Sequence, residues 1–105
     1  MKRFFSTSSF RPLWMLRYNY VEGMVEKRDP FRSLHLAHVE KFSVAGQKPH
    51  VVMGGAFADP VNGAAFVIDA TSADEVREFA KNDPYVIQKL VTHFDVRPYN
   101  VVEFK

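Results

Sequence analysis

Apolar and polar positions alternate through Trp14–Val21 (WMLRYNYV), where Arg17 and Asn19 interrupt a run of aromatic and long aliphatic side chains. That alternation predicts a first strand. Asp29-Pro30 places a capping carboxylate ahead of a proline at the first helical position, so a helix is expected from there to about Ala45, closed by Gly46. His50–Phe57 and Ala64–Ile68 read as two strands, and Asp59-Pro60-Val61-Asn62-Gly63 between them signals the reversal of a hairpin. Thr71 or Ser72 caps a second helix with Asp74 and Glu75 in its first turn and Val76, Phe79 and Ala80 turned inward. Asp83-Pro84 repeats the start signal for a short third helix through about Leu90, and Val91–Phe104 alternates loosely around Pro98, as an edge or bent strand does. The order strand, helix, strand, strand, helix, strand is that of an α+β ferredoxin-like sandwich, βαββαβ, with an extra short helix before the last strand.

Composition narrows this picture. A chain of 105 residues, 47% hydrophobic, with ten Phe and four Tyr, has material for one core and no room for a second domain. A sheet with one open face in so small a domain is expected to be covered by a second copy, which favours a homodimer. The net charge of +2 makes no electrostatic case for nucleic acid, and no run of ~18 apolar residues offers a membrane span. The absence of cysteine excludes disulfides, thiolate nucleophiles and cysteine-ligated zinc. Residues 1–12 (MKRFFSTSSFRP) are basic, rich in Ser and Phe, and free of Asp and Glu, which is the composition of a transit segment. On that reading the N-terminal tail forms an amphipathic helix, the domain occupies 13–105, and the location is mitochondrial; a short disordered tail on a cytoplasmic protein is the alternative.

Candidate chemistry sits on the first helix. Phe31, Val39 and Phe42 lie at minus four, plus four and plus seven from His35, which puts His35 on the apolar face, with Arg28 and Arg32 at minus seven and minus three. Two guanidiniums and an imidazole along an apolar stripe require a partner, either an anionic or polar ligand or a buried carboxylate. A lone helical histidine is more often structural than catalytic, and His38 on the flank of the face lacks the supporting ligands of a metal site. Asp83 is fully explained as a helix cap, the third of three Asp-Pro dipeptides. Gly54-Gly55 precedes no helix N-terminus and so makes no phosphate loop; it marks a bulge or a close approach. His50 and His93 fall near strand ends, and no serine has the setting of a nucleophile elbow.

Taken in order, the aromatic strand Leu16–Tyr20, Arg32-x-x-His35-Leu36, Gly54-Gly55, Asp83-Pro84-Tyr85 and Val96-Arg97-Pro98-Tyr99 resemble the YCII-related (YciI-like) family across about Trp14–Phe104. The resemblance implies a ferredoxin-like subunit that dimerises into an α+β barrel, and a cleft in which His35 and Asp83 form an acid/base dyad. It also implies a substrate site with Arg32, to which Arg28, Gly55 and Tyr85 are added as neighbours. The family's best-understood chemistry is dehydrochlorination and related lyase reactions on oxidised or halogenated rings. The expected function is therefore a cofactor-independent enzyme acting on a small cyclic or aromatic molecule, with no metal. The rivals are a non-catalytic metabolite-binding or regulatory module using the same cleft, and a cofactor-independent monooxygenase of the wider dimeric barrel group.

Overall fold

Leu16, Tyr18 and Tyr20 on alternate positions of the first strand are buried, while Arg17 and Asn19 between them are exposed. This period of two gives the strand one apolar face and orients everything that packs on it. The computed structural model describes residues 8–104. In it β1 (Ser8–Tyr20) is followed by a short α1 (Met24–Lys27), a 3-10 turn (Asp29–Phe31), α2 (Arg32–Lys41), β2 (His50–Ala56), β3 (Gly63–Asp69), α3 (Ala73–Lys81), α4 (Pro84–Ile87) and β4 (Val91–Phe104). The strands form one antiparallel sheet in the order β2-β3-β1-β4. This is the expected α+β ferredoxin-like arrangement, with α4 as the added helix.

The core lies between the helices and one face of the sheet, where Leu16, Tyr18, Phe66 and Ile68 meet Val76 and Phe79. Register defines the other face, which no helix among the described residues covers. Met53, Val67, Met15 and Arg97 form one row across the four strands, and Gly55, Ala65, Arg17 and Asp95 form the next.

Three boundaries differ from the sequence expectation. The first strand begins at Ser8 rather than Trp14, because Ser8–Leu13 pairs with Tyr99–Phe104 in a two-stranded ribbon that runs beyond β3. Ser8–Pro12 is therefore extended and not helical, and the rest of the proposed transit segment, 1–7, lies outside the described residues. The helix expected from Asp29 to Ala45 is shorter: Asp29 makes no side-chain cap, Asp29–Phe31 is a 3-10 turn, and the helix proper ends at Lys41 with Phe42, not Gly46, closing it. Helical φ and ψ at Arg28 leave Asp29 inside the turn, so its carboxyl has no exposed first-turn amide to accept. The third helix stops at Ile87, with Lys89 in the left-handed region ahead of β4.

Two local expectations hold in detail. Ser72 Oγ accepts the Glu75 amide, and the Glu75 carboxylate accepts the Thr71 amide in return. At Asp83-Pro84 the aspartate side chain accepts the Tyr85 amide at 2.9 Å, with proline at the first helical position.

Candidate active site

Three short-range decisions bring the site together. Helical periodicity in α2 turns His35 toward the sheet, where it is 7% exposed among exposed neighbours Leu34 and Leu36. The cap at the start of α4 fixes Asp83 over the same spot, with none of its surface reaching solvent. Alternation in β1 sends the Tyr18 hydroxyl up from below.

The Asp83 carboxylate is the centre of the arrangement. Its Oδ1 and Oδ2 lie 2.8 and 2.9 Å from His35 Nδ1, Oδ2 accepts the Tyr18 hydroxyl at 2.8 Å, and Oδ1 accepts the Tyr85 amide. A buried carboxylate is costly without hydrogen bonds, and here donors from three elements satisfy both oxygens. The same carboxylate caps its helix and holds the histidine, as its two oxygens permit. Burial, reinforced by the neighbouring Asp83, pushes the Tyr18 phenol far above its ordinary range, so it stays a donor.

With Asp83 accepting, Nδ1 carries the ring hydrogen and Nε2 presents its lone pair. Nε2 has no protein partner among the described residues and is not sealed from solvent. It faces a cavity of about 230 Å³ lined by Tyr20, Arg28, Arg32, His35, Phe66 and Tyr85. That is smaller than the roughly 300–1,000 Å³ of a drug-sized site and suits a molecule of about one ring. The His35 ring lies flat on Tyr85, with centroids 3.8 Å apart and planes 3° from parallel, so one imidazole face is covered and the ring cannot rotate freely. Phe66 meets it edge-on from the sheet.

The expected site residues thus converge, with adjustments. His35, Asp83 and Tyr85 form one stacked and hydrogen-bonded unit. Arg28 is half-buried and Arg32 exposed, so the guanidiniums stand at the rim of the cavity and not in the core stripe. Gly55 borders the cavity through its backbone only. Its register with Ala65 would turn a side chain to the helix-free face, and a Cβ there would meet nothing within 4 Å. Gly54 is the glycine the site needs, because a Cβ on it would come within 2.6 Å of Phe66 Cδ2. A bulge between Val51 and Met53 precedes it. His38 is structural: its Nε2 donates to the Phe79 carbonyl at 2.9 Å and its ring stacks on Phe79, tying α2 to α3. Tyr18 and Tyr20 escaped the sequence reading, although alternation from Leu16 already placed both on the inner face of β1.

The YCII-related domain model matches residues 13–100, and the chain belongs to that family. Among solved structures, the chain is similar to the 5-chloro-2-hydroxyhydroquinone dehydrochlorinase of Burkholderia phenoliruptrix in complex with 2,5-dihydroxybenzoquinone. The two share 24% identity, the alignment covers 83% of this chain and 92% of that one, and the TM-score is 0.63. A protein from Shewanella oneidensis is similar at 17% identity, over 90% of this chain and 97% of that one, with a TM-score of 0.51. These likenesses show the fold. No curated protein matches the chain at a significant level.

Proposed function

We propose that the protein is a cofactor-independent enzyme of the lyase type, in which His35 is the acid/base group and Asp83 orients it, acting on a small oxygenated ring held near Arg32. The observation that carries this reading is the geometry of the imidazole: Nδ1 is fixed by a fully buried carboxylate while Nε2 faces the cavity. In an elimination, the Nε2 lone pair takes a proton from the substrate as the leaving group departs with its bonding electrons. The imidazolium so formed sits against the Asp83 carboxylate, which stabilises it. The dehydrochlorinase of the same fold supports this choice of reaction class.

Chloride release from 5-chloro-2-hydroxyhydroquinone tests it, with wild type compared with His35→Ala. Turnover abolished in the variant supports the reading, and equal turnover in both sinks the role of His35. Binding of 2,5-dihydroxybenzoquinone with no turnover of any hydroxylated ring would favour a metabolite-binding module in the same cavity.

We also propose that two copies pair through the helix-free face. Met53, 61% exposed, and the half-buried Val67, Met15 and Ala65 form an apolar strip there, beside the Arg17–Asp95 ion pair. Sedimentation equilibrium gives a dimer mass on this reading. A monomer at all concentrations, or a dimer untouched by Met15→Lys, removes it.

A further inference from the structure

Arg28 and Arg32 have no carboxylate partner among the described residues, and both line the cavity with Tyr20 and Tyr85, whose phenols their charge pulls down. Tyr20 is 9% exposed, and among the described residues its hydroxyl makes no hydrogen bond to protein and no buried side-chain polar atom is left without a partner. The hydroxyl therefore opens on the cavity that Tyr20 lines. Its ring stands at 87° to that of Tyr85, with centroids 6.0 Å apart, and Tyr85 is parallel to His35. The result is a slot walled by Tyr20, Tyr85 and Phe66, with Arg28 and Arg32 also in its lining.

We propose that Tyr20, Arg28 and Arg32 form an oxyanion site that selects flat ring compounds by a deprotonated ring oxygen, a phenolate or enolate. This deepens the reading of the cavity given above and rests on it for the location only. Guanidiniums remain charged at all working pH values and supply planar donors, and a phenol adds a short neutral donor without a charge of its own. Burial pushes the Tyr20 phenol up to about 12 even though Arg28 and Arg32 pull it down, so Tyr20 keeps its hydrogen for donation. The titratable groups that line the cavity are the two guanidiniums, the two phenols and His35, and Asp83 lies behind the imidazole with its oxygens already engaged. An enolate formed as His35 removes a proton would have its negative oxygen stabilised there, a preorganised arrangement for charge that develops during reaction.

Binding of 4-nitrophenolate tests the site without any turnover, since binding of the anion displaces the nitrophenol ionisation equilibrium and is read from its absorbance. The uncharged 4-nitroanisole, of similar shape, is the comparison. The expected result is at least 10-fold weaker binding of the anisole. Tyr20→Phe is expected to lower phenolate affinity about 10-fold, and Arg28→Gln combined with Arg32→Gln about 100-fold. The readout is binding without turnover, which separates this inference from the catalytic role of His35. Equal affinity for the two probes overturns the proposal, as does unchanged phenolate binding in a folded Tyr20→Phe. The double arginine variant changes only rim residues, so unchanged phenolate binding there overturns it even where Tyr20→Phe does not fold.

Discussion

Replacing Asp83 by Asn preserves the volume of the side chain and changes only what it offers to its neighbours. The carboxylate has two acceptor oxygens that serve His35 Nδ1, the Tyr18 hydroxyl and the Tyr85 amide. An amide oxygen in place of Oδ1 keeps the Tyr85 bond, and the NH2 group then faces Tyr18 and His35. The Tyr18 hydroxyl can turn and accept. The amide oxygen stays 2.8 Å from His35 Nδ1, but the Nδ1 hydrogen now also meets the NH2 group at the 2.9 Å position. That repulsion is relieved by moving the hydrogen to Nε2, which leaves a donor where the base should be. Three charge-assisted hydrogen bonds become neutral ones, at about 1 kcal/mol each, so Asp83→Asn is expected to lose about 3 kcal/mol of stability in urea unfolding. The comparable exchange in a Ser-His-Asp triad lowers kcat by about 10⁴, and a loss of that order is expected for any reaction His35 catalyses. Nitrogen-15 NMR of the ring distinguishes the two tautomers directly. A variant that keeps hydrogen on Nδ1 and matches the wild-type urea midpoint would refute the account of Asp83 as an orienting acceptor.

Three further outcomes follow from the same contacts. Tyr18→Phe keeps the ring against Phe66, 5.1 Å between centroids, and removes one donor to a buried carboxylate, so it should cost about 1.5–3 kcal/mol by urea unfolding without altering the sheet. Gly54→Ala forces Phe66 to shift and should cost about 1–3 kcal/mol and weaken ligand binding, whereas Gly55→Ala, with open space at its Cβ, should stay within about 0.5 kcal/mol of wild type. For alkaline stability, Tyr20 and Tyr85 have phenols raised by burial, and a raised folded value contributes stability that is present below about pH 10 and lost as pH rises through the folded value. Stability should thus decline between about pH 10 and the value of about 12 for Tyr20, with tyrosine ionisation measured by absorbance lagging that of an unfolded peptide; tyrosines titrating together near pH 10 in the folded state would contradict it.

What was legible in the sequence was whatever is decided within a few residues. The cap at Ser72, the Asp-Pro start of α4 and the β2–β3 hairpin depend on local backbone chemistry, and each stands where it was expected. The extension of β1 to Ser8 was not legible, because Ser8–Pro12 has no alternation of its own and is held by pairing with residues about ninety positions later. The short α1 from Met24 was missed because four residues give no periodicity to read, and its one buried side chain, Met24, is recruited by the core. Asp83 shows the limit most clearly. Its sequence context explains it as a cap, which it is, while its second role depends on Tyr18 and His35 arriving from 65 and 48 residues away.

That double role ties the site to the history of the chain. The hydrogen-bonded unit draws on β1, α2 and the start of α4, so no fragment ending before Tyr85 contains it. A nascent chain acquires it late, after most of its length has been made, and partial unfolding that frees α4 dissolves it at once. Amide exchange at Tyr85, whose hydrogen is given to Asp83, should then proceed with the slowest class of amides, reporting the whole molecule opening and not a local fray.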